Sequence, residues 1–227
     1  MARFSSIQVY NTIMEQGLVP VFYNGDLEIA KNIVKAVAKG GGKLIEFTNR
    51  GDFAYRIFSK LVRYFEQEEP QLIFGVGSVV DPYTAALYIN NGANFVVGPV
   101  LNPEIAKLCN RRRIPYSPGC ATPSEISQAE ELGCEIIKIF PGGLLGGPDF
   151  VRSILAPCPW TKIMPTGGVD ISKDGLTAWF EAGVVAVGIG SKLIVRELVE
   201  KKNWDKISQN VSQTLQIIQE QKNRNSF

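Results

Sequence analysis

Eight times along this chain, a short apolar run ends in a turn and gives way to a stretch whose apolar residues recur at helical spacing. Few folds accommodate that rhythm. An apolar run between turn signals reads as a strand buried on both faces, and a helix after each strand leaves the strands parallel. The predicted strands cover 18–23, 43–48, 71–76, 94–98, 114–117, 134–141, 161–165 and 184–188. Asp26 is a good N-cap for the first crossover helix, and Gly40-Gly41-Gly42 stops it. Eight units without a linker predict a (β/α)8 TIM barrel spanning 1–227 as a single domain. A helix over 1–17, with Ile7, Tyr10 and Met14 on one face, is expected to precede it, and a helix and tail over about 203–227 to follow. A doubly wound sheet is the alternative, but it usually has fewer strands and one clear Gly-rich fingerprint.

Composition narrows the chemistry. The 24 lysines and arginines barely outnumber the 22 aspartates and glutamates, which gives no basis for expecting a nucleic acid or a membrane surface as partner. There is no histidine, so the commonest general base and metal ligand is missing. No Asp, Glu and Cys cluster has metal-ligand spacing, and no metal is expected. Cys109, Cys120, Cys134 and Cys158 form no C-x-x-C pair and read as reduced, mostly buried thiols. No run approaches the apolar length of a membrane span, and the start lacks the cationic and apolar pattern of a signal peptide. A cytoplasmic protein is expected.

In a barrel, reactive groups gather at the C-terminal ends of the strands. Lys138 lies inside the apolar run Ile136-Ile137-Lys138-Ile139-Phe140. A desolvated ammonium tends to lose its proton, and a neutral amine attacks carbonyl carbon to form a Schiff base. The plainer reading is a lysine whose stem snorkels to the surface. Glu46, between Ile45 and Phe47, is expected to point into the barrel as a general base or as the ionic partner of Lys138. Arg50 begins the following loop, where it can grip a carboxylate with two hydrogen bonds or stand solvated. Gly75-Val76-Gly77-Ser78 ends the third strand; its glycines allow close backbone approach to a ligand, or make only a tight turn. Thr166-Gly167-Gly168 and Gly188-Ile189-Gly190-Ser191 follow the seventh and eighth strands, where barrels often hold a phosphate on free N–H groups.

The segments Glu46-Phe47-Thr48-Asn49-Arg50, Gly75-Val76-Gly77-Ser78-Val79, Pro118-Gly119, Lys138-Ile139-Phe140-Pro141, Pro165-Thr166-Gly167-Gly168 and Gly190-Ser191, in this order, resemble the KDPG/KHG aldolases. These are the 2-keto-3-deoxy-6-phosphogluconate and 4-hydroxy-2-oxoglutarate aldolases, class I lyases. The resemblance implies Lys138 as Schiff-base lysine and Glu46 as the carboxylate that shuttles protons, through a water, in carbinolamine formation and at the aldol carbon. It implies Arg50 and Ser78 on the pyruvyl carboxylate, Pro99 and Phe140 as an apolar wall, and Thr166 beside the hydroxylated carbons. Gly167, Gly168, Gly190 and Ser191 are implied as the phosphate cradle. It also implies a keto acid phosphate substrate, no cofactor and a homotrimer. The chain departs from the family's pattern in having Ser78 where Thr is frequent, and Gly142-Gly143 where Ala-Glu is frequent. The rival readings are a phosphosugar isomerase, epimerase or synthase, in which Lys138 forms no covalent bond, and a non-catalytic phosphosugar-binding barrel.

Overall fold

The structure, a computed structural model, describes residues 2–225. Its strands are β1 (Leu18–Phe22), β2 (Leu44–Thr48), β3 (Ile73–Gly77), β4 (Phe95–Val97), β5 (Tyr116–Ser117), β6 (Gly119–Cys120), β7 (Ile137–Ile139), β8 (Ile163–Pro165) and β9 (Val187–Ile189). Its helices are α1 (Ser6–Gln16), α2 (Leu27–Lys39), α3 (Ala54–Glu68), α4 (Pro82–Asn90), α5 (Pro103–Arg112), α6 (Pro123–Glu131), α7 (Pro148–Leu155), α8 (Lys173–Glu181), α9 (Arg196–Glu200) and α10 (Trp204–Asn225).

All strand pairs are parallel, and they run β5-β4-β3-β2-β1-β9 and β6-β7-β8. The Thr166–Gly188 bridge joins β8 to β9. The fifth strand, predicted over 114–117, is narrower and runs on: β5 covers Tyr116–Ser117, and a second short segment, β6, follows Pro118. Proline has no N–H to give a ladder, so β5 turns to β4 and β6 to β7. The Pro118 carbonyl still accepts from Lys138 N at 3.0 Å. With that stave counted once, the ring has eight staves and is a TIM barrel.

Side chains alternate across each strand. Ile45 and Phe47 of β2 pack outward against the helices, as do Ile137 and Ile139 of β7. Leu44 and Ile136 face the interior, and two residues further along the same faces come Glu46 and Lys138. α1 closes the N-terminal end of the ring with Val9 and Ile13, which join the interior cluster of Val19, Leu44, Ile73 and Phe95. The expected face of α1 is therefore corrected: Ile7 is 67% exposed, while Tyr10 and Met14 only flank the buried pair. Caps fall where the sequence places them. Asp26 accepts from Ile29 N at 2.9 Å and Asp81 from Thr84 N at 2.8 Å. α10 packs against α2 and α8, and Lys222 Nζ donates to the Met14 carbonyl of α1.

Candidate active site

Glu46 and Lys138 stand inside the ring on its C-terminal side, 1% and 5% exposed. Their neighbours across the ladders are Val21 and Gly75 for Glu46, and Gly119 and Met164 for Lys138. Among the described residues no ion pair or hydrogen bond joins the two side chains, so Glu46 is not the contacting ionic partner of Lys138 that the sequence allowed. They act on each other through space. Burial pushes the Glu46 carboxyl up, against the pull of the Lys138 and then the Arg50 charge. Burial holds the Lys138 amine below its ordinary value of 10.5; Glu46 opposes that shift and Arg50 adds to it. Desolvation is the leading cause for both groups. Lys138 Nζ lies 4.9 Å from the centroid of the Phe140 ring, a contact that favours the charged form without donating to any acceptor.

A cavity of about 660 Å³ opens next to that ring, lined by Thr48, Arg50, Phe140, Thr166, Gly167, Gly190 and Ser191 among others; Lys138, Glu46 and Ser78 are not part of the lining, and Lys138 is connected to it through its contact with the Phe140 ring. Arg50 Nε donates to Ser78 Oγ at 3.3 Å, which brings the ends of β2 and β3 together. Ser78 has φ of 59°, a left-handed conformation that costs a non-glycine residue about 1 kcal/mol or more. Gly167 and Gly168 have φ of 83° and 79°, open to glycine without strain. Thr166 Oγ1 is buried without a partner.

Four expectations change in detail. Pro99 is half-buried and packs over Gly119: a Cβ there would lie 2.2 Å from the Pro99 carbonyl oxygen. It does not line the cavity, whereas Phe140 does. Gly168 lies outside the cavity lining and packs against Gly143. Gly142 and Gly143 donate their N–H groups to the carbonyls of Thr166 and Gly167 at 2.9 and 2.8 Å. They extend the β7–β8 ladder, and a Cβ on Gly143 would lie 3.0 Å from Gly168 Cα. Lastly, Gly75 and Gly77 clear protein atoms. A Cβ on Gly75 would lie 2.2 Å from the Phe95 ring, and one on Gly77 would overlap the Glu46 carboxylate.

The family model for KDPG and KHG aldolase matches residues 9–210. The chain belongs to the KDPG and KHG aldolase family. It is 30% identical to the 2-dehydro-3-deoxy-phosphogluconate aldolase of Haemophilus influenzae, over 95% of this chain and 99% of that one. It is 30% identical to the KHG/KDPG aldolase of Escherichia coli, over 84% and 87%. Among solved structures, the Legionella pneumophila KDPG aldolase superposes with a TM-score of 0.81 at 27% identity, covering 88% of this chain and 95% of that one. That structure holds pyruvate as a covalent carbinolamine.

This family member carries further groups on its cavity wall that the sequence analysis passed over: Tyr23, Asn24, Arg196, Glu200 and Lys202. Tyr23 and Asn24 follow β1, and a polar pair at a strand end was a usable signal. Arg196 and Glu200, paired at 2.7 Å, belong to α9, and Lys202 follows it. Nothing in their spacing distinguishes them from a solvated helix face.

Proposed function

We propose that the protein is a class I aldolase that cleaves a 2-keto-3-deoxy sugar acid phosphate to pyruvate and an aldehyde. Lys138 is its Schiff-base lysine. The observation that carries this reading is the Lys138 amine itself, buried in the ring against the Phe140 wall of the cavity and, among the described residues, with neither an ion pair nor a hydrogen bond. A structural lysine at that depth is normally paired.

The chemistry follows from the groups present. The lone pair on Lys138 Nζ attacks C2 of the substrate, and the resulting carbinolamine loses water to give an iminium. The C3–C4 bond then breaks. Its electrons flow into the iminium to form an enamine, while the C4 hydroxyl loses its proton and becomes an aldehyde. Glu46 takes that proton and returns it, through water, at C3, and hydrolysis of the iminium releases pyruvate. Arg50, with Ser78 behind it, holds the keto acid carboxylate. Phe140 walls the pyruvyl unit, and Thr166 faces the hydroxylated carbons. Gly167, Gly190 and Ser191 receive the phosphate on backbone N–H groups, and Gly168 shapes that loop. 2-Dehydro-3-deoxy-6-phosphogluconate is the favoured substrate, with 4-hydroxy-2-oxoglutarate as a second, since relatives carry both activities in their names.

The reading extends to assembly and compartment. Phe53, Val80, Tyr83, Leu87 and Val100 are exposed, with Tyr83 84% exposed. They lie on the loops after β2, β3 and β4 and on α4, at one end of the ring. Such a patch suits a homotrimer interface beside the site. The barrel, α1 and α10 act as one domain. All four cysteines are free thiols, in keeping with a reducing cytoplasm.

The test is borohydride reduction in the presence of pyruvate, read by intact mass. Wild type is expected to gain one reduced pyruvyl unit and Lys138→Ala none. A folded wild type that gains nothing would overturn the mechanism.

A further inference from the structure

Glu46 poses a problem of placement. Its carboxylate is buried, yet among the described residues no hydrogen bond holds it: Oε2 is without a partner, and the forces on the group are burial and the Lys138 and Arg50 charges. A proton shuttle must be held near its geometry by something. Charge at a distance does not fix the direction of a side chain with three rotatable bonds.

Shape does. A Cβ on Gly77 would lie 1.8 Å from Glu46 Oε1, 2.6 Å from Cδ and 2.9 Å from Cγ. The carboxylate thus rests in the space that any other residue at 77 would fill. Gly77 has ordinary strand backbone and pairs with Thr48 across β2–β3, so no dihedral requires a glycine there. Gly75, two residues earlier on the same face, is different, because its missing Cβ makes room for the Phe95 ring of β4. One glycine of the pair serves packing, and the other serves the carboxylate.

We infer that Gly77 is a positioning residue for the reaction: its missing side chain forms the slot that seats the Glu46 carboxylate. This inference rests on the aldolase reading above. The overlapped atoms belong to the far end of a flexible side chain, so a methyl group at 77 displaces the carboxylate rather than the strand. Lys138 keeps its amine, so trapping by excess pyruvate should still reach one adduct per chain at long times, while the rates of the proton transfers that need Glu46 in place should fall.

The test is a double-mutant cycle on the full-length protein, with Gly77→Ala, Glu46→Asp and both together. Three quantities are read: pyruvate trapping by borohydride, exchange of the pyruvate methyl protons with deuterium, and kcat for the keto acid phosphate. Gly77→Ala is expected to keep stoichiometric trapping at Lys138 while methyl exchange and kcat fall about 100-fold, the usual worth of one acid/base group. Aspartate withdraws the carboxylate by about 1.5 Å, one C–C bond, so the double variant should be no slower than Glu46→Asp alone. The inference is overturned if Gly77→Ala exchanges and turns over within twofold of wild type, or if the two losses multiply. If Gly77→Ala does not fold but the double variant does, the clash is with Glu46 and the inference stands. If neither folds while Glu46→Asp does, the glycine serves packing and the inference falls. An untrapped wild type sinks the aldolase reading and this inference with it; a trapped wild type with multiplying losses sinks this inference alone.

Discussion

Replacing Lys138 with methionine should abolish activity and make the protein more stable at pH 7. The side chains are of similar length, and methionine packs where the lysine stem lies. What disappears is an amine that is 5% exposed and, among the described residues, makes no ion pair or hydrogen bond, its charge met only by the Phe140 ring and by Glu46 at a distance. Burying an uncompensated polar group costs about 1–3 kcal/mol in mutational series. In a chain of this size each kcal/mol moves Tm by about 2–4 °C, so the variant should melt about 2–12 °C higher. The pH dependence separates this cause from better packing. Burial lowers the folded-state pKa of Lys138 from its ordinary 10.5. Between the lowered value and 10.5 the unfolded chain binds the proton and the folded protein does not, so wild-type stability rises with pH across that window. The penalty is complete below the folded value and is gone above 10.5. Urea unfolding of both proteins at pH 7 and at pH 10.5 should therefore show a gain for Lys138→Met at pH 7 that shrinks at pH 10.5. A variant no more stable than wild type at pH 7, or a gain unchanged with pH, would refute the reasoning.

Glu46→Gln should lower kcat by about 10²–10⁴-fold. Because the Glu46 charge raises the Lys138 pKa, the pH midpoint of borohydride trapping should also move to lower pH, which a titration of adduct yield checks. Arg50→Lys keeps the charge but loses the planar fork; KM for pyruvate in methyl exchange should rise about tenfold with little change in the maximal rate. Tyr83→Glu with Leu87→Glu places two charges among the exposed apolar residues of the proposed interface; sedimentation velocity should find the proposed trimer in the wild type and a monomer in the variant, at unchanged fold by circular dichroism. Asp81→Ala removes the hydrogen bond to Thr84 N at the start of α4 and should cost about 1 kcal/mol in urea unfolding.

Much of this was legible in the sequence, for reasons that can be located. The period of two along a strand turns Lys138 inward once Ile137 and Ile139 are assigned to the helix side, and the same rule turns Glu46 inward between Ile45 and Phe47. The start of α2 was legible because Asp26 caps it by a local hydrogen bond to the residue three positions on; Asp81 and Ser172 cap α4 and α8 in the same way. Contacts remote in sequence were not legible. α1 offers two helical stripes, and only the ring it closes selects Val9 and Ile13 over Ile7. The break at Pro118 depends on β4 and β7 competing for one stave. The glycines of Gly75-Val76-Gly77 look alike in sequence, and only Phe95 and Glu46, brought close by pairing, tell them apart. Gly142-Gly143 likewise acquires its partners, Thr166 and Gly167, through the β7–β8 ladder.

The departures from ordinary stability rules converge on the C-terminal end of the ring. Among the described residues the Lys138 amine is buried without a hydrogen bond, Glu46 Oε2 and Thr166 Oγ1 are buried without partners, and Ser78 takes a left-handed backbone conformation. Each runs against stability by an amount of order 1 kcal/mol or more. Thr214 Oγ1 and Gln221 Nε2, the other buried unpartnered atoms among the described residues, lie on α10 away from the strand ends, so an unmet polar atom alone does not mark a site. The site is marked by several such costs of different kinds at one end of the ring, in elements as far apart in sequence as β2 and β8. Packing has no use for a lone amine, a lone carboxylate and a lone hydroxyl at one end of a ring, whereas the proposed substrate, with a carbonyl, a carboxylate and hydroxyl groups, offers each of them a partner.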